Sequence, residues 1–527
     1  MMEKPMQVEN FFNFTSFLTG LAFLIMAWLN TDYKYRLRLR MSRFSLRVML
    51  VLVAILGALV LISDFVIAQG YPIPCTPCVQ HFWQLLLAVA FLALTISWII
   101  VCFLKPPAFK KSNYQKFQQE LLRVLECGRE DEIPAIAELI ALSIERIVRC
   151  IRPNGNQQRI SLKQILEEES ALNIIKLMAD ERFCRFIARY EPKLALSLFE
   201  QMTAQGKQNF WVNHFAGSFI TQVLSNEESF IFPETNSRFS SLSDERPILS
   251  VVYRNTEWIQ KFPELLMPDD RLIRNWDRRQ VHAYCEILRM ALVASMEKQD
   301  FSPKNFSNCF ALLERSAWRI GRATDSLDFY GDENRWVYRT IIGSYEDLVN
   351  EVSLHPIARL NARYTDDIER QDVLDLLADS IVGLMFVAAS FYTRGGFPYV
   401  GDLTLCLYIL DFETNDELKK RNDELTKRIC RSLYCTFKKE PGIRGIHILF
   451  FLLYGLGRKN TCGPIRLLKR FVDCYARHHL LSMIDKAKKT RKWNMPEEFF
   501  LEGHVLRMKR NPKFFEESNE EVLELIE

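Results

Sequence analysis

Residues 82–104 read FWQLLLAVAFLALTISWIIVCFL, 23 residues without a charge. A helix rises about 1.5 Å per residue, so roughly 20 residues cross a hydrocarbon core about 30 Å thick. Two further runs precede this one. Residues 11–30 carry no charge over 20 residues, and residues 48–69 carry a single one, Asp64. Three such runs within the first 104 residues leave no polar face for water. The pattern predicts three transmembrane helices, about 11–30, 48–69 and 82–104, rather than buried helices of a water-soluble core. Asp64 lies 16 residues beyond Val48, about 24 Å along a helix, which places it near the headgroups where water solvates it.

The loops orient the spans. Lys34, Arg36, Arg38, Arg40, Arg43 and Arg47 follow the first run, and Lys105, Lys110, Lys111 and Lys116 follow the third. Residues 70–81, between the second and third runs, hold no Lys or Arg. Basic loops stay on the cytoplasmic side. The expectation is an outside N-terminus, an outside second loop and a long cytoplasmic C-terminal part. Glu3 and Glu9 against Lys4 are not the positive start of a cleaved signal, and no small-residue cleavage site follows the first run, so the run is expected to be retained.

The outer loop runs Tyr71-Pro-Ile-Pro-Cys75-Thr-Pro-Cys78-Val-Gln80-His81. A Cys-x-x-Cys pair closes a small ring and exchanges it through thiolate attack. In an oxidising compartment it is expected as a disulfide. An apolar helix, then Pro-Cys-x-x-Cys with Gln two residues on, then another apolar helix resembles the bacterial membrane proteins that form disulfides and pass the electrons to quinone. The resemblance covers residues 46–104. That family has four spans, a second outer Cys pair and an Arg after the Gln; this chain has three runs, no second outer pair, and His81 at that place. Without a second pair there is no electron relay, so Cys75 and Cys78 are read as a structural or redox-sensing disulfide, with thiol–disulfide catalysis and inert thiols as the alternatives.

Beyond residue 104 the pattern is helical almost throughout. Gly and Pro number 20 each in 527 residues, fewer than turn-rich structure uses. Ile133, Ile136, Ile140, Ile144, Ile147 and Ile151 repeat at spacings of three and four and predict one amphipathic helix ending at Asn154-Gly155, with Glu145 and Arg149 paired across a turn. A second long helix is expected from near Asp366, with Glu369 as a box-like cap, to Arg394-Gly395-Gly396. Its residues 380–393 are nearly all apolar but too few to span a bilayer, so they are read as a buried core helix; the run 447–456 is shorter still. Other helices are expected near 113–129, 161–205, 210–225, 277–297, 303–320, 332–354, 414–437, 463–489 and 497–509. The organisation read from this is a transmembrane region 1–104, a membrane-proximal helical segment 105–224, an irregular linker 225–256 and a C-terminal helical bundle 257–527. The fold class is all-α.

No P-loop, GxSxG or HExxH is present, and Gly455-Leu-Gly457 lacks the third glycine and the βαβ setting of a dinucleotide turn. The ten cysteines beyond residue 104 form no CxxC pair and read as buried free thiols, with no metal or cofactor implied. His478-His479 reads as a helix-surface pair. Asp366, Asp367, Glu369, Asp372, Asp375 and Asp379 gather in the first turns of their helix and are read as solvated charges favoured by its dipole. Basic clusters carry more. Arg271, Arg274, Arg278 and Arg279 surround Trp276; Lys486, Lys488, Lys489, Arg491 and Lys492 adjoin Trp493; and Arg507, Lys509, Arg510 and Lys513 precede an acidic tail. Guanidinium and ammonium groups beside aromatic rings suit nucleic acid or anionic lipid, and otherwise form a solvated face. A net charge of +4 does not by itself argue for nucleic acid.

Transmembrane helices joined to a large helical cytoplasmic part resemble, by layout, the membrane effectors of bacterial antiviral defence, including the retron type. That resemblance implies a non-enzymatic inner-membrane protein, held by a cytoplasmic protein or ribonucleoprotein regulator, that assembles in the lipid bilayer and disrupts it. A thiol–disulfide oxidoreductase and a membrane scaffold or transporter subunit are the other readings.

Overall fold

The computed structural model describes residues 108–110, 113–127, 132–152, 161–235, 247–272, 276–322, 332–354, 371–392 and 416–439, with 51–59 and scattered positions between 37 and 100 and between 449 and 479. Among the described residues every regular element is helical and none is a strand. The expected all-α class holds. No helix among them is long and apolar enough to cross a membrane. The run 11–30 lies outside the described residues, and 48–69 and 82–104 are described only in part. Residues 1–215 and 216–527 form two compact units.

The first unit opens with α1 (Tyr114–Cys127), whose Phe117, Leu121 and Val124 are buried at one-turn spacing. The isoleucine-rich stretch is two helices, α2 (Ile133–Ala141) and α3 (Ile144–Cys150), not the single helix its period predicts. The break is at Ser143. Its buried hydroxyl donates to the Leu139 carbonyl at 2.7 Å and accepts the Phe109 N–H at 2.9 Å, so a side chain takes over part of the backbone ladder there. The Glu145–Arg149 pair forms as expected.

The expected helix 161–205 is three: α4 (Leu162–Met178), α5 (Glu181–Tyr190) and α6 (Pro192–Ala204). Ser161 and Gln164 close a reciprocal capping box on α4, Asp180 caps α5, and Pro192 at the head of α6 cannot donate to α5. Gly206 ends α6 at φ 61°, with the Gly206 and Lys207 N–H groups returning to Thr203 and Met202. The buried Lys207 ammonium then donates to the Val148 and Arg149 carbonyls at 2.7 and 3.1 Å, closing the end of α3. Arg40 reaches α1, its Nη1 lying 3.7 Å from Glu120 Oε2.

Helix α7 (Phe210–Ser225) has the predicted ends and carries the boundary between units. The stretch 225–256 read as an irregular linker contains α8 (Ile231–Thr235) and α9 (Pro247–Tyr253). Ile231, Leu249, Val252 and Tyr253 are fully buried in the second unit, and the Glu234 carboxylate accepts the Ile248 and Leu249 N–H groups at the start of α9. Ser, Asn and Glu suggested a separator; the few apolar side chains among them decide the packing instead.

After α10 (Thr256–Lys261) and a single 3₁₀ turn come the main helices of the second unit. They are α11 (Arg278–Glu297), α12 (Pro303–Arg322), α13 (Asp332–Leu354), α14 (Val373–Tyr392) and α15 (Asp416–Lys439). α11 packs on α13, α12 on α14, and α14 on α15. α14 buries Ile381, Val382, Leu384, Met385 and Val387, the core role its apolar run predicts. It begins at Val373, later than Asp366, because Asp372 accepts the Asp375 N–H at 3.0 Å and caps it there.

Candidate functional site

Of the basic positions singled out in the sequence, Arg271, Arg278 and Arg279 are among the described residues, and all three belong to the second unit. Asp277 caps α11, its carboxylate accepting the Gln280 N–H at 2.8 Å while Gln280 accepts the Asp277 N–H at 2.8 Å. This box puts Arg278 and Arg279 in the first turn, where the helix dipole adds to their positive charge. Both are exposed, as is Arg271. Arg274 lies outside the described residues.

The aromatic partner is a different tryptophan from the one expected. Trp276 is only 7% exposed and packs on Tyr284 with ring centres 5.1 Å apart; the Tyr284 hydroxyl donates to the Leu266 carbonyl at 2.9 Å. It is a core side chain and offers no stacking face. Trp336 of α13 is 44% exposed, with the Arg278 guanidinium 5.1 Å and that of Arg339 5.3 Å from its ring centre. Cation–π contact of this kind holds both guanidiniums in place and contributes about 0.5–1 kcal/mol at an exposed site. Among the described side chains, which do not include those of Asp332 and Glu333, no carboxylate pairs with Arg271, Arg278, Arg279 or Arg339. Because Arg278 and Arg339 occupy the space over the indole, an anion would meet guanidinium rather than a base meeting the ring. Phosphate oxygens fit that arrangement. Sequence spacing hides it, since residues 278 and 336 lie far apart in the chain; only the α11–α13 packing joins them.

A second constellation crosses α14 and α15, and it corrects the reading of Asp372, Asp375 and Asp379 as solvated charges; Asp366, Asp367 and Glu369 lie outside the described residues. Asp375 is fully buried and Arg428 is 2% exposed. Arg428 Nη1 donates to Asp375 Oδ1 at 2.7 Å and to Asp372 Oδ1, while its Nε meets Glu424 at 3.3 Å. Burial, then the neighbouring Asp372, pushes the Asp375 carboxyl up to about 6, with Arg428 opposing. Asp379 accepts from Ser432 at 2.6 Å and from Gln371 at 2.7 Å. Spacings of three and four place the acids 372, 375 and 379 on one face, and residues 428 and 432 share a face of α15. The signal was in the sequence, but nothing local names the partner helix.

Cys184, Cys285, Cys309 and Cys430 are buried, and burial pushes the Cys285 and Cys309 thiols up to about 12, which makes them poor nucleophiles. The His479 ring lies 4.5 Å from that of Tyr475. Cys75 and Cys78, and Lys486, Lys488, Lys489, Arg491 and Lys492, lie outside the described residues.

Comparison with family models, curated proteins and solved structures found no match to this chain.

Proposed function

We propose that this protein is a non-enzymatic, multi-pass inner-membrane effector whose cytoplasmic helical part receives a polyanionic partner and whose spans disrupt the bilayer. The observation that carries the reading lies in the N-terminal fifth. Val48, Val51, Ile55, Leu59 and Ile62 all point outward, 47–59% exposed, at spacings of three and four. Leu86, Val89, Leu92 and Ile96 repeat the pattern at 42–58%. Contiguous outward apolar rows of this kind have no favourable contact with water and suit lipid. The Arg40–Glu120 ion pair supports the orientation, because it brings the first basic loop and the segment after the third run to one side.

The basic patch at Arg271, Arg278, Arg279 and Arg339 is the surface for the partner, a nucleic acid or ribonucleoprotein contacted through its phosphates. The layout shared with antiviral membrane effectors supplies the output. Expression of the full chain, with a membrane-potential dye as readout, tests it. Depolarisation is expected with the full chain and not with residues 1–104 deleted. Depolarisation that persists without those residues, or that never occurs with any polyanionic trigger co-expressed, overturns the reading.

A further inference from the structure

A pocket of about 320 Å³ opens between α12, α14 and α15, apart from the basic patch. That size is near the lower end of small-molecule sites and fits a ligand smaller than a drug. Its lining is of two kinds. Phe310, Val382 and Phe386 are apolar, while Glu314 and Asp379 bring two carboxyls among serine and threonine hydroxyls.

The acids are held in place rather than merely near one another. The Glu314 carboxyl rests on bare backbone at Gly383, where a Cβ would lie 2.4 Å from its Cδ and 2.5 Å from Oε2. Ser380 hydrogen-bonds Glu314 and shares a hydrogen bond with the buried Tyr345 hydroxyl, which ties the carboxyl to α13 as well. Ser432 and Gln371 hold the two oxygens of Asp379. Burial is the main cause that pushes the Glu314 carboxyl up to about 7; Asp379 adds to it, and Ser380 and Arg315 oppose it. A cation entering beside Glu314 would offset the cost of ionising that buried carboxyl by charge attraction.

The lining also says which cation. A metal ion wants several converging oxygen or nitrogen ligands, and among the described residues no group of three His, Cys, Asp or Glu converges. Aromatic faces, by contrast, attract organic ammonium groups. We propose that this pocket binds a small primary amine, its ammonium held by Glu314 and Asp379 and its stem packed on Phe310 and Phe386. The site does not depend on the membrane reading: it is tested by binding, and that reading by depolarisation. Lys439 lines the same pocket and would suit a carboxylate, so a zwitterion is the competing ligand.

The test is calorimetric titration of the purified full-length chain in detergent with propylamine, butane-1,4-diamine and 2-phenylethylamine, and with alanine and phenylalanine as zwitterions. Each is compared with the alcohol of the same skeleton. Binding of at least one amine and none of the alcohols is expected. Glu314→Gln should weaken it about tenfold or more, the loss of a buried charge-assisted hydrogen bond. Gly383→Ala, whose methyl must displace the Glu314 carboxyl, should do the same while raising helix propensity. A thermal melt confirms that both variants fold. No amine binding at millimolar concentration, equal binding of the alcohols, affinity unchanged in a folded Glu314→Gln, or binding only by amino acids through Lys439 would each overturn the proposal.

Discussion

Replacing Arg428 by Met should destabilise the second unit more at neutral pH than in acid. In the folded chain Arg428 is 2% exposed and its Nη1 serves both Asp372 and Asp375, the latter with no exposure at all. Met matches most of the volume and removes the charge, leaving a buried carboxylate uncompensated. Removing one partner of such a pair costs about 3–5 kcal/mol. At roughly 2–4 °C per kcal/mol for a unit of this size, the melting transition should fall by about 10 °C at pH 7.5. The Asp375 carboxyl already stands at about 6 against an ordinary 3.8, and losing Arg428 moves it higher. A carboxyl raised on folding favours the folded state when protonated. That contribution is complete below the unfolded pKa and is lost as pH rises through the folded one. At pH 5 Asp375 is then neutral in both proteins, and the deficit should shrink to about half. Circular dichroism melts at pH 5 and 7.5, with Arg428→Met/Asp375→Asn as a partial rescue, measure this. A deficit under about 1 kcal/mol at pH 7.5, or one of equal size at both pH values, would refute the reasoning.

Glu314→Gln should leave stability nearly unchanged near pH 4.5 and raise it by up to about 3 kcal/mol above pH 8. The reason is that the wild-type carboxyl, raised to about 7, must ionise inside the fold across that window; urea titrations at both pH values check it. Gln299 ends α11 at φ 55°, with the Asp300 N–H returning to Ser295, so Gln299→Gly should stabilise by about 0.5–1 kcal/mol in the same assay. Arg278→Ala/Arg279→Ala should weaken binding of a single-stranded RNA probe without sequence preference. It should also flatten the salt dependence by about 1.4 in log–log slope, as for two lost phosphate contacts; an unchanged slope counts against the patch. Under the effector reading Cys75→Ser/Cys78→Ser leaves depolarisation intact, whereas loss of depolarisation favours the thiol–disulfide alternative.

Local signals reached some elements and not others. The ends of α7 and α13 follow from the sequence, and α11 falls within the predicted 277–297, opened by the Asp277 capping box. The isoleucine period predicted the buried face of α2 and α3 but not the break between them. Periodicity records which side chains face inward, whereas the break depends on Ser143 meeting the Phe109 N–H across the chain. The start of α14 was misplaced for a related reason. Several acids there could each cap a helix, and the one used is Asp372, whose capping Oδ1 also accepts from Arg428 on α15. Trp276 and Trp336 show the same limit: each adjoins arginines, and burial alone separates the core ring from the surface one.

Sequence alone determined that this chain is helical, that its apolar residues concentrate in the first fifth, and where its positive charge lies. Those properties are sums over neighbours in the chain, set by hydropathy, periodicity and capping within a few residues. Tertiary structure decided which arginines meet which rings, which aspartates lose water and where a pocket opens. The deciding contacts join side chains more than 50 positions apart, Arg428 with Asp375 and Arg278 with Trp336, brought together only when helices pack.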